Sequence, residues 1–580
     1  MTNKTIGLFL LATTFLSSPA GAAALTPTLD TIKREAADLS GNFVLSELTS
    51  ALPTGAVEVM IGDKSYYFMP SGENAALLAT LAGTPASNLK EDANGIFELN
   101  GQKYGFDVAS IPNSVFEYAE GTKDDYNFTV QEADAEGNLT DKYYKINLKP
   151  ENFSTSKSIT WTEVPEAQKD DKDDDLSDGK VSAVIAVRLP NDQTKYFRYT
   201  YSKPDGYEVI TKPELMLPTI TDPSEQNTYQ TGGVAVNNPA GNKYGDITGK
   251  VFANNKVSGK LTGTSSYNNL YILGGAVYNA GEIGDITADF INNSLTGIEE
   301  GSNSLYLRGG AIYNSDTGTI GNITGNFIGN YTSSTTKTAY TGAISNSGTI
   351  GDITGNFIAN HTLVNAGAIL NGGTINSITG DFIGNYTKHS NGVGSWGGTI
   401  YNSGTIDSII GDFIGNHIDS YGMGNSAEGG AIYNSGTINS IIGDFIGNYI
   451  QNDDSSSNFM LGGAIRAEGG SMTISGNFLY NYAVKNDTQS IQRHALGGAV
   501  YIGEGDNHLI FKSRDQTLFF SGNYTKDINR GKNYNAIFIN TYSGGDSNHI
   551  INFDTTGGGA WIINCLLYTS PSPRDRSLSR

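Results

Sequence analysis

The sequence predicts an all-β chain: a right-handed parallel β-helix (a solenoid) preceded by a smaller β-rich N-terminal module. Three observations lead there. First, two tetrapeptides alternate along the second half. Gly-Gly-Ala-(Ile/Val) stands at 274–277, 309–312, 429–432, 462–465 and 497–500, with looser copies starting at Thr341, Ala366 and Gly397. Phe-x-x-Asn occurs nine times in alternation with it, from Phe252/Asn255 to Phe520/Asn523. An ordered pair of motifs that keeps returning describes stacked repeats rather than one compact globule. Second, the clean unit GGAIYNSGTINSIIGDFIGNY at 429–449 holds three short apolar stretches separated by Gly, Asn and Asp. Ile, Phe, Tyr and Thr favour strands, and the separators favour turns. Third, the first motif returns every 25 to 35 residues, and the variable part always follows Phe-x-x-Asn. One three-strand coil per repeat, with a side loop of changing length, accounts for all three. Coils stacked at ~4.8 Å make a rod on the order of 50 Å for about ten of them.

The elements follow in chain order. Residues 1–24 read as a secretory signal: Lys4, a short apolar core from Ile6 to Phe15, a break at Ser17, Ser18 and Pro19, and small-x-small cleavage sites at 20–22 and 22–24. Residues 25–210 form the N-terminal module. It opens with an amphipathic helix at 28–39 and continues with strands near 57–61, 65–69, 143–148, 181–189 and 196–201. A theme of polar turn, Lys and aromatic strand recurs there, as GDKSYYFM, GQKYGFDV, DKYYKINL and DQTKYFRY. The acidic run 170–178 reads as a solvated loop. Pro213, Pro218 and Pro223 mark 211–230 as a linker. The repeats occupy 231–564.

Within a coil, the motif Phe points inward and stacks on its counterpart in the next coil. The motif Asn sits at a corner, in a left-handed conformation, and bonds to neighbouring Asn side chains in a ladder. Gly-Gly turns the chain tightly. Residues 565–580, CLLYTSPSPRDRSLSR, differ in composition from everything before them. They resemble translated sequencing-adapter DNA and read as a non-natural tail, which leaves the exported chain without cysteine. A cysteine-free chain suits export through an oxidising periplasm.

Composition narrows the function classes. The chain of 580 residues has a formal net charge of −22, which argues against nucleic acid and anionic membrane surfaces. Catalysis on a β-helix needs carboxylates and Arg or Lys converging on an outer face. Asp381, Asp412 and Asp444 share one repeat position, but Asn326, Asn356 and Asn477 hold it elsewhere and no Arg or Lys keeps phase with them. They read as a turn or solvent-facing acidic stripe. All six histidines lie in the repeat half, and His361 and His417 replace the Tyr after Phe-x-x-Asn as surface substitutions. No catalytic residues, metal ligands or cofactor motif are assigned. Binding is expected in the inter-repeat loops 387–396 and 418–428, with Lys388, His389 and Trp396 as candidate contacts, and in the aromatic N-terminal module.

The paired GGA(I/V/L) and FxxN tetrapeptides over roughly 231–554 resemble the chlamydial polymorphic membrane proteins. The longer repeats GGAIYNSGTI and GDFIGN look like passenger domains of bacterial autotransporters (type V secretion). The resemblance implies a secreted or surface-displayed adhesin passenger, exported through the inner membrane and held at the outer membrane by a C-terminal translocator barrel. Its partners would be host-cell or extracellular-matrix proteins or glycans, with no nucleic acid. The barrel's ~10-residue alternating strands are not found in this sequence, which is expected if the chain is a fragment. The alternative is a β-helical polysaccharide-degrading enzyme, a lyase or hydrolase.

Overall fold

The computed structural model describes short segments between residues 43 and 138, then residues 139–569 apart from 155, 190–193, 220–226, 264–268, 302–303, 336–338, 391–393, 422–425, 453–458, 486–494, 514–516, 528–530, 534, 541–548, 555–559 and 564–565. The signal at 1–24, the helix at 28–39 and Cys565 lie outside the described residues.

The repeats fold as a parallel β-helix. In the unit beginning at Gly429 the strands are Ile432–Asn434, Thr437–Ile442, Phe445–Ile446, Tyr449–Asn452 and Met460–Leu461. Ile432 pairs in parallel with Ile465, Phe445 with Phe478 and Tyr449 with Tyr482. The Ile strands build one 11-stranded sheet, and the strands after Phe-x-x-Asn build another. The Thr-Ile and Phe strands share a 22-stranded sheet. A fourth strand per coil therefore stands where the sequence suggests a loop. The segments 387–396 and 418–428 begin inside the strands Tyr386–Ser390 and His417–Tyr421, and they end in Ser395–Trp396 and Ala427–Glu428. These strands cover small cores of their own, such as Ile418, Ala427, Ile450 and Met460.

The Phe column is as expected. Phe382, Phe413 and Phe445 are fully buried, and their rings stack at 4.7 Å with interplanar angles of 5° and 2°. That spacing is the coil rise. Ile and Val columns fill the rest of the interior.

The Asn ladder is present, with one change. Asn330 donates from its backbone N–H and from Nδ2 to Asn360 Oδ1, both at 3.0 Å, and Asn360 Nδ2 donates to Phe327 O at 2.8 Å. Each buried carboxamide is thus satisfied by the coils on either side. The left-handed residue is the one before the Asn: Gly329, Gly384, Gly415 and Gly447 have φ of 59° to 63°. Asn254, Asn292, Ala359 and Tyr480 take the same conformation without glycine's freedom. A second ladder, not read from the sequence, runs through the Asn of Ala-Ile-Tyr-Asn; Asn314 Nδ2 reaches Asn346 Oδ1 at 2.8 Å.

Gly-Gly is required twice over. Gly429 has φ +71°, and a Cβ on Gly430 would lie 2.1 Å from the carbonyl oxygen of Gly463 in the next coil. Coils at this corner approach through bare backbone.

The ladder begins earlier than 231. Glu208–Ile210 pairs in parallel with Ile247–Ala253, Leu215–Met216 with Lys256–Gly263 and Asn227–Thr231 with Asn269–Leu273. The stretch 211–230 therefore runs through the first coil. Pro213 and Pro218 fall between strands there, where a missing N–H breaks no ladder bond. At the other end the ladder includes Leu566–Thr569, paired with Asn535–Ile539.

The N-terminal module is built from antiparallel hairpins. The recurring Lys-aromatic theme marks the return strand of four of them: Lys64–Phe68, Gln102–Gly105, Leu139–Leu148 and Thr194–Ser202. The last belongs to a four-stranded sheet with Ile159–Val164, Lys172–Asp173 and Lys180–Arg188. This sheet does not stand apart from the solenoid. Ile185, Val187, Phe197 and Tyr201 form one buried cluster with Ile328, Ile358, Ile383, Ile414 and Ile446, the residue after Phe in each coil. Phe points in and its neighbour points out, so the Phe strand has an apolar outer column, and the module's sheet covers it.

Candidate functional site: two outer faces of the solenoid

The covered face accounts for the acidic position. Asp381, Asp412 and Asp444 are buried, not solvent-facing. Asp381 Oδ1 accepts the Asp412 backbone N–H at 2.7 Å, Asp412 Oδ1 accepts that of Asp444 at 2.6 Å, and Asp444 Oδ1 accepts that of Asn477 at 2.8 Å. Carboxylate and carboxamide oxygens are interchangeable in this role, which is why Asp and Asn alternate at the position. The module reaches the same column. Tyr201 Oη donates to Asp289 at 2.8 Å, while Asn326 and Asn356 donate to Ser156 and Ser154 at 3.3 Å and 2.9 Å. Burial raises the pKa of Asp289, against the hydrogen bonds from Asn326 and Tyr201.

The two histidines are likewise not surface substitutions. Tyr331, His361, Tyr386, His417, Tyr449 and Tyr482 form one stacked column with centroids 4.6 to 5.1 Å apart. Imidazole replaces phenol because it is a flat ring of similar footprint. Burial pushes His361 down to about 4 and His417 in the same direction. Arg188 of the module lies over Tyr449, 5.0 Å from its centroid, and hydrogen-bonds Gln451. The acidic run 170–178 is mostly exposed. Its carboxylates cap their own turn, as Asp175 does for the Ser177 N–H, or pair with Arg198 through Asp171 at 2.6 Å.

The second face carries the outward residue of Ala-Ile-Tyr-Asn and the short strands just before Gly-Gly. Tyr278 and Tyr313 stack at 5.8 Å, and Tyr401 and Tyr433 at 5.1 Å with 2° between planes. On the adjoining strands Tyr271, Tyr306 and Tyr340 stack at 4.7 and 5.6 Å. All of these except Tyr313 remain partly exposed. The strips meet at the Gly-Gly corner, where Trp396 packs edge-on against Tyr433 at 6.5 Å.

Two arginines interrupt the tyrosines. Arg466, in the one copy reading GGAIR, is buried, donates from Nε to Glu428 at 3.0 Å, pairs with Glu468 and lies 4.4 Å from the Tyr501 centroid. Burial pushes Tyr501 up to about 12. Arg308 lies 5.7 and 5.8 Å from the centroids of Tyr271 and Tyr340.

Of the expected contacts, Lys388 is exposed on the strand Tyr386–Ser390, in register with Asp419. The side chain of His389 lies outside the described residues. Trp396 is on a different sheet from Lys388, half-buried at the aromatic corner. The structure thus joins Trp396 to the tyrosine face and not to Lys388. The outward tyrosines and Arg308 were missed by sequence reasoning. Their signal was the residue after Ile in each Gly-Gly-Ala-Ile and the residue before Gly-Gly. No protein-family model, curated protein or solved structure matches the chain.

Proposed function

We propose that this chain is the passenger of a surface-displayed adhesin, exported by the type V route and anchored by a barrel in the intact protein. It binds host-cell or matrix surfaces along its tyrosine face. The observation that carries the reading is that face itself. Partly exposed aromatic rings recur in register along it, while the outer aliphatic column is already covered by the module. Tyrosine presents a flat apolar surface and a hydroxyl at little entropic cost, and is favoured at recognition surfaces. The ordered GGA(I/V) and FxxN pairs support the passenger assignment. The acidic column that a polysaccharide-cleaving site would draw on is buried and engaged in backbone hydrogen bonds between coils. The test is attachment of beads coated with the purified chain to epithelial cells and mucin. Binding well above albumin-coated beads is expected. Beads that attach no better than albumin, or a chain that releases reducing or unsaturated ends from polysaccharides, would overturn the reading.

A further inference from the structure

We propose that Arg308 and the tyrosines around it form a binding site for a carboxylate-bearing sugar; this rests on the adhesin reading and names its ligand class. Along the strand Ser304–Arg308, Leu305 and Leu307 are buried inward, so Tyr306 and Arg308 share the outer side. Tyr306 stacks between Tyr271 and Tyr340, with planes within 12° and 15° of one another. The guanidinium stands beside the two end rings of this stack. Tyr313 of the neighbouring sheet is close enough to feel its charge.

What sets this arginine apart is an unbonded buried nitrogen. Its Nε is buried with no hydrogen bond, and among the described residues no carboxylate pairs with it. Arg466 makes the contrast, since it occupies a similar aromatic setting but is neutralised by Glu428 and Glu468. Arg308 is also the only Lys or Arg between residues 261 and 336, in a chain of net charge −22. A guanidinium offers a rigid fork that matches a carboxylate bidentately. On this stretch of the acidic chain Arg308 gives an anion a place to dock. The ring stack beside it supplies what a free carboxylate does not need: a ridge of apolar ring edges for a sugar ring to rest against, with phenol hydroxyls at its rim for sugar hydroxyls. Cation and ridge together fit a uronate or sialate residue better than an acidic peptide side chain, which would engage the cation alone.

The experiment measures binding of the full chain to immobilised hyaluronan, to its carboxyl-reduced neutral form and to polyglutamate. It uses the parent, Arg308→Gln, Arg308→Lys and Tyr306→Ser, with melting temperature as the folding control. The parent should bind hyaluronan, weaken with salt and ignore the reduced polymer. Arg308→Gln should lose about tenfold or more, with Arg308→Lys in between because charge survives but the fork does not. Tyr306→Ser should also weaken binding. Equal binding of the reduced polymer, equal binding by Arg308→Gln, or preference for polyglutamate overturns the proposal. If coated beads attach to cells while no variant or parent binds hyaluronan, the sugar site is wrong and the adhesin reading stands. If Arg308-dependent hyaluronan binding occurs without bead attachment, the site stands and the adhesin reading falls.

Discussion

Two columns of side chains point outward from the same coils and meet opposite fates. The column after Phe is aliphatic, Ile328 through Ile446, and lies under the module's sheet with Ile185 and Val187. The column after Ala-Ile carries stacked tyrosine pairs, Tyr278 with Tyr313 and Tyr401 with Tyr433, and stays partly exposed at Tyr278, Tyr401 and Tyr433. The difference is chemical. A stripe of stacked isoleucines in water is an exposed apolar patch that has to be covered. A stripe of stacked tyrosines buries its ring faces against one another and hands its hydroxyls to water. A repeat protein multiplies any outward residue into a stripe. The choice at one repeat position therefore decides whether a whole face becomes an internal interface or a display surface.

The largest effects should come from the interior and from the covered face. Phe413→Ala opens a cavity between two stacked rings and should cost about 3–5 kcal/mol, read by denaturant unfolding. Ile414→Ala, the next residue but on the outer side, should cost about 2–5 kcal/mol and also make the junction between module and solenoid more sensitive to limited proteolysis. A loss below about 0.5 kcal/mol, the range of exposed positions, would mean that the sheet does not cover this column. Asn416→Ala leaves the backbone N–H and Nδ2 of Asn385 without their acceptor and should cost about 1–3 kcal/mol.

The Phe, Gly and Asn positions were legible because stacking holds them to one residue type in every coil, and periodicity is what a sequence displays most openly. The covered acidic column was not. Charge at Asp381, Asp412 and Asp444 suggests solvent, whereas each is buried and accepts a backbone N–H from the next coil. The histidines were hidden likewise, by ring stacking between successive coils. Strands after Phe-x-x-Asn were hidden because their lengths change between coils, so no fixed period marks them. Arg308 and Arg466 were overlooked for the opposite reason: each departs from the repeat once, and a search for what recurs passes over what does not.

A smaller effect separates the faces by pH. The ordinary histidine pKa is near 6.5, and burial holds His361 at about 4 in the folded chain. Between those values the unfolded chain binds the proton and the folded chain does not, so stability falls as pH drops from about 6.5 to about 4. His361→Tyr should flatten that part of the stability–pH curve, measured by melting temperature in a buffer series. An unchanged slope would place His361 in water.

Bead attachment tests the central claim most directly, with Tyr278, Tyr401 and Tyr433 all changed to Ser. These rings are partly exposed, so each change should cost little stability, about 1 kcal/mol or less, and melting should stay near that of the parent. The account predicts that attachment to epithelial cells and mucin drops to the level of albumin-coated beads. Attachment equal to the parent, with melting unchanged, would contradict it and move binding away from the tyrosine face.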